Sequence, residues 1–131
     1  MPVASSASKP PDRAQVRVFQ FRQDSGWQVR DWASEGVWAS GLLKIEVTAD
    51  ISSLRFDAGA TLGRHPTGRQ QVFAVLDGEG WVSGSDGARH SIVAGQAAFW
   101  DKGESHESGS ATGMSVIVIQ AEHLDPDSRP T

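Results

Sequence analysis

Two histidine-bearing segments of this 131-residue chain carry the residue types most suited to chemistry near neutral pH. In the first, His65 and Thr67 are two positions apart, so an extended backbone would place imidazole and hydroxyl on one face. Gln71 and Phe73 share a face of the following segment by the same argument. A turn at 67–69 would join the two faces, which predicts a polar cluster backed by apolar walls, as small-molecule pockets are built.

The second segment covers residues 95–110 and contains His106. Gly103 permits a sharp bend, after which His106 begins a stretch that returns towards the first segment. We therefore expect His65 and His106 to lie side by side in one cavity. The chain has no cysteine and no serine on a nucleophile elbow, so disulfides, thiolate metal sites and acyl-enzyme chemistry are excluded or unsupported.

The elements that must position these residues are short strands, because hydrophobic residues alternate with period two and glycine-rich turns separate them. Strands recur about every 8–12 residues, which predicts an all-β sandwich or closed barrel. The expected strands are 16–21, 43–48, 53–57, 72–76, 81–82, 91–93, 97–100 and 114–120, with a hairpin turn at 77–80 and further turns at 85–87, 94–95 and 101–103.

One domain is expected at this length, with a disordered tail at 1–13, a barrel domain at 14–123 and a flexible tail at 124–131. Between the first two strands, Trp27, Trp32 and Trp38 predict extended structure packing over the barrel, either filling the edge of the core or forming a subunit contact.

Composition argues against several partners. The net charge is −4 and no basic block exists, so nucleic-acid binding is not expected. No apolar run approaches the roughly 20 residues of a membrane helix, and the N-terminus has no secretory signal pattern. We expect a cytoplasmic protein without a membrane or nucleic-acid partner.

The spacing of glycines and histidines resembles the two motifs of the cupin superfamily, over residues 59–110. The first family motif runs Gly, five residues, His-x-His, three or four residues, Glu, six residues, Gly. The second runs Gly, five residues, Pro-x-Gly, two residues, His, three residues, Asn. The positions in register here are Gly59, His65 and Gly78 for the first motif and Gly95, Gly103 and His106 for the second. The resemblance implies a jelly-roll barrel of the double-stranded β-helix type.

The chain also departs from the family pattern. A typical member holds a divalent metal with three histidines and one glutamate, whereas Thr67 and Gln71 replace one histidine and the glutamate here. Asp101 and Ser110 replace the proline and the asparagine. The resemblance then implies either a weak site for Fe, Mn, Ni, Zn or Cu on His65, Gln71 and His106, or no metal at all.

Two functions follow from these residues. One is an enzyme acting on a small polar molecule, either a metal-dependent oxygenase, isomerase or lyase, or a metal-free enzyme with a histidine as general base. The other is a small-ligand-binding or sensing barrel without turnover. The candidate catalytic residues are His65 and His106, and the candidate substrate-binding residues are Thr67, Gln71, Phe73, Arg64 and Trp100.

Two further expectations concern side chains around this pocket. Glu104 and Glu107 flank His106 and are predicted to be solvated charges at the mouth of the barrel. Val72, Ala74 and Leu76 point away from the pocket yet are apolar, so they need a cover. A second barrel or the N-terminal strand at 16–21 could supply it, and we predict a homodimer.

Overall fold

Antiparallel β-strands make up almost all the regular structure of the computed structural model, which describes residues 16–22 and 26–126. Within these residues, the one helical element is a short 3-10 turn at Asp31–Ala33, and no helix has the length and hydropathy needed to cross a bilayer. The strands are β1 (Arg17–Gln20), β2 (Trp27–Val29), β3 (Val37–Ala39), β4 (Leu43–Lys44), β5 (Ala49–Phe56), β6 (Ala60–Pro66), β7 (Gln70–Ser83), β8 (Arg89–Val93), β9 (Gln96–Trp100), β10 (Ser105–Ser110), β11 (Met114–Ala121) and β12 (Asp125–Pro126).

The long strand β7 belongs to both layers of the barrel. Its first half lies between β9 and β11, in the order β1-β9-β7-β11-β5. Its second half lies between β8 and β10, in the order β8-β7-β10-β6. This is an all-β jelly roll, as the sequence predicted.

The hairpin turn predicted at 77–80 is wrong, because β7 runs through this segment without reversing. The pairing of β7 with β11 shifts register between Val75 and Asp77, so Leu76 is the extra residue of a bulge, and Gly78 just after it has φ +81°. A Cβ on Gly78 would collide with the carbonyl oxygen of Gly113. The segment that suggested a turn therefore contains a bulge, which together with Gly78 bends one strand from the first sheet into the second.

Both faces of the first part of β7 are covered, as predicted for Val72 and Ala74, but the prediction is wrong for Leu76. The inward face packs into the barrel core through Phe73 and Val75. Leu76 is 54% exposed at the bulge. The outward face is covered by the chain's own N-terminal strand and the segment around β4, so a second barrel is not needed there. The covering residues are Phe19, Phe21, Leu42, Leu43, Ile45 and Leu124.

Two other predictions differ from the structure. The strand expected at 43–48 is only Leu43–Lys44, which pairs with β12. Asp125 and Pro126, assigned to the C-terminal tail, form β12, and just before it the backbone N–H of Leu124 donates to Gln70 at 2.7 Å. Residues 1–13 and 127–131 of the predicted tails lie outside the described residues.

Candidate functional site

His65 and His106 lie side by side where β6 and β10 pair. The two residues are direct partners in the antiparallel register. Their Nε2 atoms are 3.2 Å apart and their ring centroids are 4.5 Å apart. His65 is exposed, whereas His106 is buried. The structure thus forms a histidine pair with one ring open to solvent and one inside the barrel.

The proton positions of the histidine pair follow from its hydrogen bonds. Nδ1 of His65 lies 2.6 Å from the carbonyl oxygen of Gly63, which can only accept, so Nδ1 carries a proton. When His65 is neutral, its Nε2 is a bare acceptor for the Nε2–H of His106. Burial lowers the pKa of His106 to about 4, helped by the neighbouring charges of His65 and Arg64, so His106 is neutral at pH 7.

An aromatic wall separates the histidine pair from the rest of the core. The ring of Trp100 meets the ring of His106 edge-on, with centroids 4.4 Å apart. Phe73 packs on the far side of Trp100 at 5.6 Å. Both side chains are fully enclosed, and Trp100 Nε1 donates to the carbonyl oxygen of Ser83 at 3.2 Å. Trp100 therefore contacts the pair directly, while Phe73 lies behind it.

Thr67 is buried and connects the end of β6 to the turn before β10. Its hydroxyl donates to the Asp101 carbonyl at 2.9 Å and accepts the Gly103 N–H at 3.0 Å. Its backbone N–H donates to the Glu104 carbonyl, and its carbonyl accepts the Gly103 N–H. These bonds fix the two strand ends that carry the histidines, so the structure engages this hydroxyl with backbone groups.

Arg64 lies beside the histidine pair, with its guanidinium bonded to neighbouring loops. Nη1 donates to the Gly84 carbonyl at 2.9 Å and to Ser105 Oγ at 3.2 Å. Nη2 donates to Ser83 Oγ at 2.5 Å and is 3.5 Å from a Glu107 carboxylate oxygen. Most of the five N–H groups of this arginine are thus already used within the chain.

Gln71 is buried and lies on the same face of β7 as Phe73, next to Trp100 in the register with β9. Within residues 16–22 and 26–126, no group of three or more His, Cys, Asp or Glu side chains could hold a metal ion. The donors that the structure brings together in the pair are two imidazoles, and no hydrogen bond of the described residues joins the Gln71 amide to either of them. They do not fit the four-ligand metal site of the family, and we derive no reaction through a metal.

Glu104 is the buried group that sequence reasoning missed. It is 5% exposed, so the prediction of a solvated charge is wrong. Oε1 accepts the Asp101 N–H at 3.2 Å, while Oε2 is buried without a hydrogen-bond partner. Burial raises the pKa of Glu104, although the backbone amides of Asp101 and Ser85 oppose this effect. The sequence around Glu104 gave no sign that this side chain is buried, because the loop at 84–86, whose Ser85 amide lies near the carboxylate, is distant in sequence.

Comparison with known proteins gives the fold and one curated relative. No protein-family model matches the sequence. The chain is 35% identical over 74 residues to the β-alanine degradation protein BauB of Pseudomonas aeruginosa, covering 55% of this chain and 78% of BauB.

Solved structures with the same fold include a cupin superfamily protein from Desulfitobacterium hafniense, at a TM-score of 0.54 and 16% identity over 70% of this chain and 83% of that one. A salicylate 1,2-dioxygenase from Pseudaminobacter salicylatoxidans gives a TM-score of 0.52 and 20% identity. That match covers 56% of this chain but 21% of the dioxygenase. With its jelly roll and paired histidines the chain has the cupin fold, and its likeness to BauB shows that it belongs to the same family as that protein.

Proposed function

We propose that this chain binds a small polar molecule at the histidine pair and uses the imidazoles for hydrogen bonding and proton transfer. The observation that carries this proposal is the contact between an exposed and a buried imidazole, 3.2 Å apart at Nε2. A ligand can reach His65 from solvent, while His106 behind it is held against Trp100.

The protonation of the pair gives the two rings different roles. Because burial lowers the pKa of His106, that ring stays neutral at pH 7, and its Nε2–H serves as a hydrogen-bond donor to His65 rather than as a strong base. The Gly63 carbonyl holds His65 in one tautomer and one orientation, with the lone pair on Nε2. Nε2 of His65 is therefore the atom that would accept a proton in abstraction and return, as in an isomerase or lyase. The same arrangement also serves a binding protein without turnover.

A thermal-shift screen of the purified chain tests ligand binding. The compounds are small carboxylic acids, sugars and diketones, with β-alanine included because of the likeness to BauB. A ligand at about 100 times its dissociation constant stabilises the folded state by about 2.7 kcal/mol, which is a measurable shift in Tm. Turnover of any hit, followed by NMR, separates an enzyme from a binding protein.

A matched pair of variants locates the site. His65→Gln should abolish the shift, whereas His90→Gln should preserve it, because His90 is an exposed histidine on β8. If both variants keep the ligand response, the ligand binds elsewhere and the proposal is wrong.

A transition metal on His65, Gln71 and His106 is the second candidate. The observation that favours it is the closeness of the two imidazoles, 3.2 Å apart at Nε2, because two histidines that bind one metal ion must lie close together; His65 and His106 would then hold the ion. Metal analysis of untagged protein tests this candidate. Near-stoichiometric Fe, Mn, Ni, Zn or Cu that disappears in His65→Ala would support it, and protein without bound metal whose Tm ignores added divalent ions would exclude it.

We further propose a cytoplasmic location, which the lack of cysteine favours because thiol-free chains need no oxidising compartment. The proposed partner is the small molecule itself, without nucleic acid or membrane. A homodimer is the remaining expectation.

A further inference from the structure

Residues 26–39, which we call the arm, form a two-stranded sheet of their own. β2 pairs with β3, and among the described residues neither strand takes part in the strand pairing of the barrel sheets. The arm exposes large apolar side chains: Trp32 is 88% exposed, and Trp38 and Val37 are each nearly half exposed. The expectation that these tryptophans fill the edge of the core therefore fails for Trp32. Exposed apolar side chains clustered on one element mark an interaction surface.

The backbone of the arm is also unusual at this point. Trp32 and Ala33 have φ of 60° and 58°, a left-handed conformation that is unfavourable for residues other than glycine. Within the described residues these are the two non-glycine residues with positive φ, and they lie where the most exposed large apolar side chain of the arm is found. Strained backbone of this kind clusters at functional surfaces.

The barrel has a matching opening where β5 and β6 diverge from the turn at 57–59. Within the described residues, β5 pairs only with β11 and β6 pairs only with β10, so each strand keeps one free edge. Between them is a cavity of about 170 Å³, which we call the seam. Its lining is mainly apolar and consists of Leu54, Arg55, Phe56, Ala60, Thr61 and Leu62. An unpaired strand edge beside an apolar gap accepts a further strand.

The charges of the two surfaces are complementary. Asp31 and Glu35 on the arm form no ion pair with any residue that the structure describes, and the arm has one basic residue, Arg30. Arg55 at the seam likewise has no acidic partner among the described side chains. A carboxylate of the arm placed on Arg55 would satisfy both groups.

We propose that the chain forms a two-fold dimer in which the arm of each copy covers the seam of the other. A two-fold interface is self-complementary, so one arm–seam contact is made twice. A covered tryptophan buries about 150–250 Å². Trp32 from each arm, together with the exposed half of each Trp38, therefore supplies part of the about 1,200–2,000 Å² that a stable interface buries.

Sedimentation velocity on the full chain, over a range of concentrations, tests this dimer. Wild type should sediment as a dimer that dissociates on dilution. Arg55→Glu should raise the dimer dissociation constant by about tenfold or more, because it places like charges together. Adding Glu35→Lys to Arg55→Glu should restore the dimer. Both positions are exposed, so the folding of the monomer is not at risk.

Leu76→Ser is the matched control, because Leu76 is an exposed apolar residue outside the seam and the arm. It should leave the dissociation constant unchanged. A chain that stays monomeric at all concentrations would overturn the proposal. So would a dimer that Leu76→Ser weakens but Arg55→Glu does not, because the interface would then lie elsewhere.

Disulfide trapping distinguishes exchange between copies from closure within one chain. The sequence has no cysteine, so every disulfide must join introduced residues. Mixing Val37→Cys protein with Thr61→Cys protein should give a mixed disulfide dimer under mild oxidation, whereas Val37→Cys mixed with Leu76→Cys should not. A Val37→Cys/Thr61→Cys chain that cross-links only to itself would show that the arm covers its own seam, and the dimer proposal would be wrong. None of these measurements depends on a ligand of the histidine pair.

Discussion

Trp100 and Trp32 show opposite ways of placing the same side chain. Trp100 has no exposed surface, contacts Phe73 and His106 through its ring, and donates its Nε1 hydrogen to Ser83. Trp32 is 88% exposed on an arm whose two strands pair with each other and, in the part of the chain that the structure describes, not with the barrel sheets. The first position is fixed by many contacts within one chain. The exposed Trp32 ring could still be buried against another surface, which would then gain the free energy of that burial.

Replacing the two tryptophans should change the free energy of unfolding by very different amounts, and Trp100 should give the largest effect of the variants considered. Trp100→Ala should lower the free energy of unfolding by about 3–5 kcal/mol, because it leaves a cavity beside His106. Trp32→Ala should change the unfolding of the monomer by about 0.5 kcal/mol or less. Urea denaturation at high dilution measures both, and equal losses would contradict the contrast.

Acid should destabilise the histidine-pair region. The folded pKa of His106 is about 4, below its ordinary value of 6.5, so its contribution to stability is full above pH 6.5. Between pH 6.5 and 4 the unfolded chain takes up a proton at His106 that the folded chain does not. The free energy of unfolding therefore falls across this range, by about 3 kcal/mol at most. Urea denaturation of metal-free protein across this range should show the slope. His106→Phe should reduce it, while His90→Phe should not.

Thr67 should show a smaller effect. Thr67→Val removes a hydroxyl that both donates and accepts, leaving the Asp101 carbonyl and the Gly103 N–H without this partner. The loss should be about 1–3 kcal/mol. Thr67→Ser keeps both hydrogen bonds and should recover most of it. If Thr67→Val and Thr67→Ser lower the free energy of unfolding equally in urea denaturation, the hydroxyl of Thr67 does not stabilise the turn.

Glu104 should give the smallest effect, with the opposite sign. Because burial raises its pKa, the folded state disfavours the charged carboxylate, and this penalty is relieved as the pH falls through the folded pKa. Glu104→Gln keeps the shape without the charge, so it should raise the melting temperature slightly at neutral pH. Glu107→Gln is the control, because Glu107 is near Arg64 at the surface. A lower melting temperature for Glu104→Gln alone would contradict the expected sign.

Much of the barrel could be predicted from sequence because period-two alternation and glycine turns are local signals. The segment at 77–80 shows where this fails. A glycine with positive φ is required both in a hairpin turn and in a bulge, and the pairing of β7 with distant strands decides between them. Short strands such as β12 were missed, because their pairing with Leu43–Lys44 leaves no local pattern.

The closeness of His65 and His106 could be inferred from motif spacing, since that spacing fixes which strand ends meet. What each polar side chain binds could not. Arg64 donates hydrogen bonds to Ser83 and Gly84, which are about twenty positions away in sequence. Thr67 donates a hydrogen bond to Asp101, which is 34 positions away. Such partners depend on the closed barrel, so residue type alone suggested a ligand contact where the structure has internal bonds.

The bend at Gly78 has a consequence for how this protein comes apart. Since one continuous strand serves two layers, neither layer can detach while the other keeps its full ladder of hydrogen bonds. Loss of either layer exposes apolar surface in both. Amide hydrogens on β10 and β11, which flank opposite halves of that strand, should then exchange through one common opening event of similar free energy.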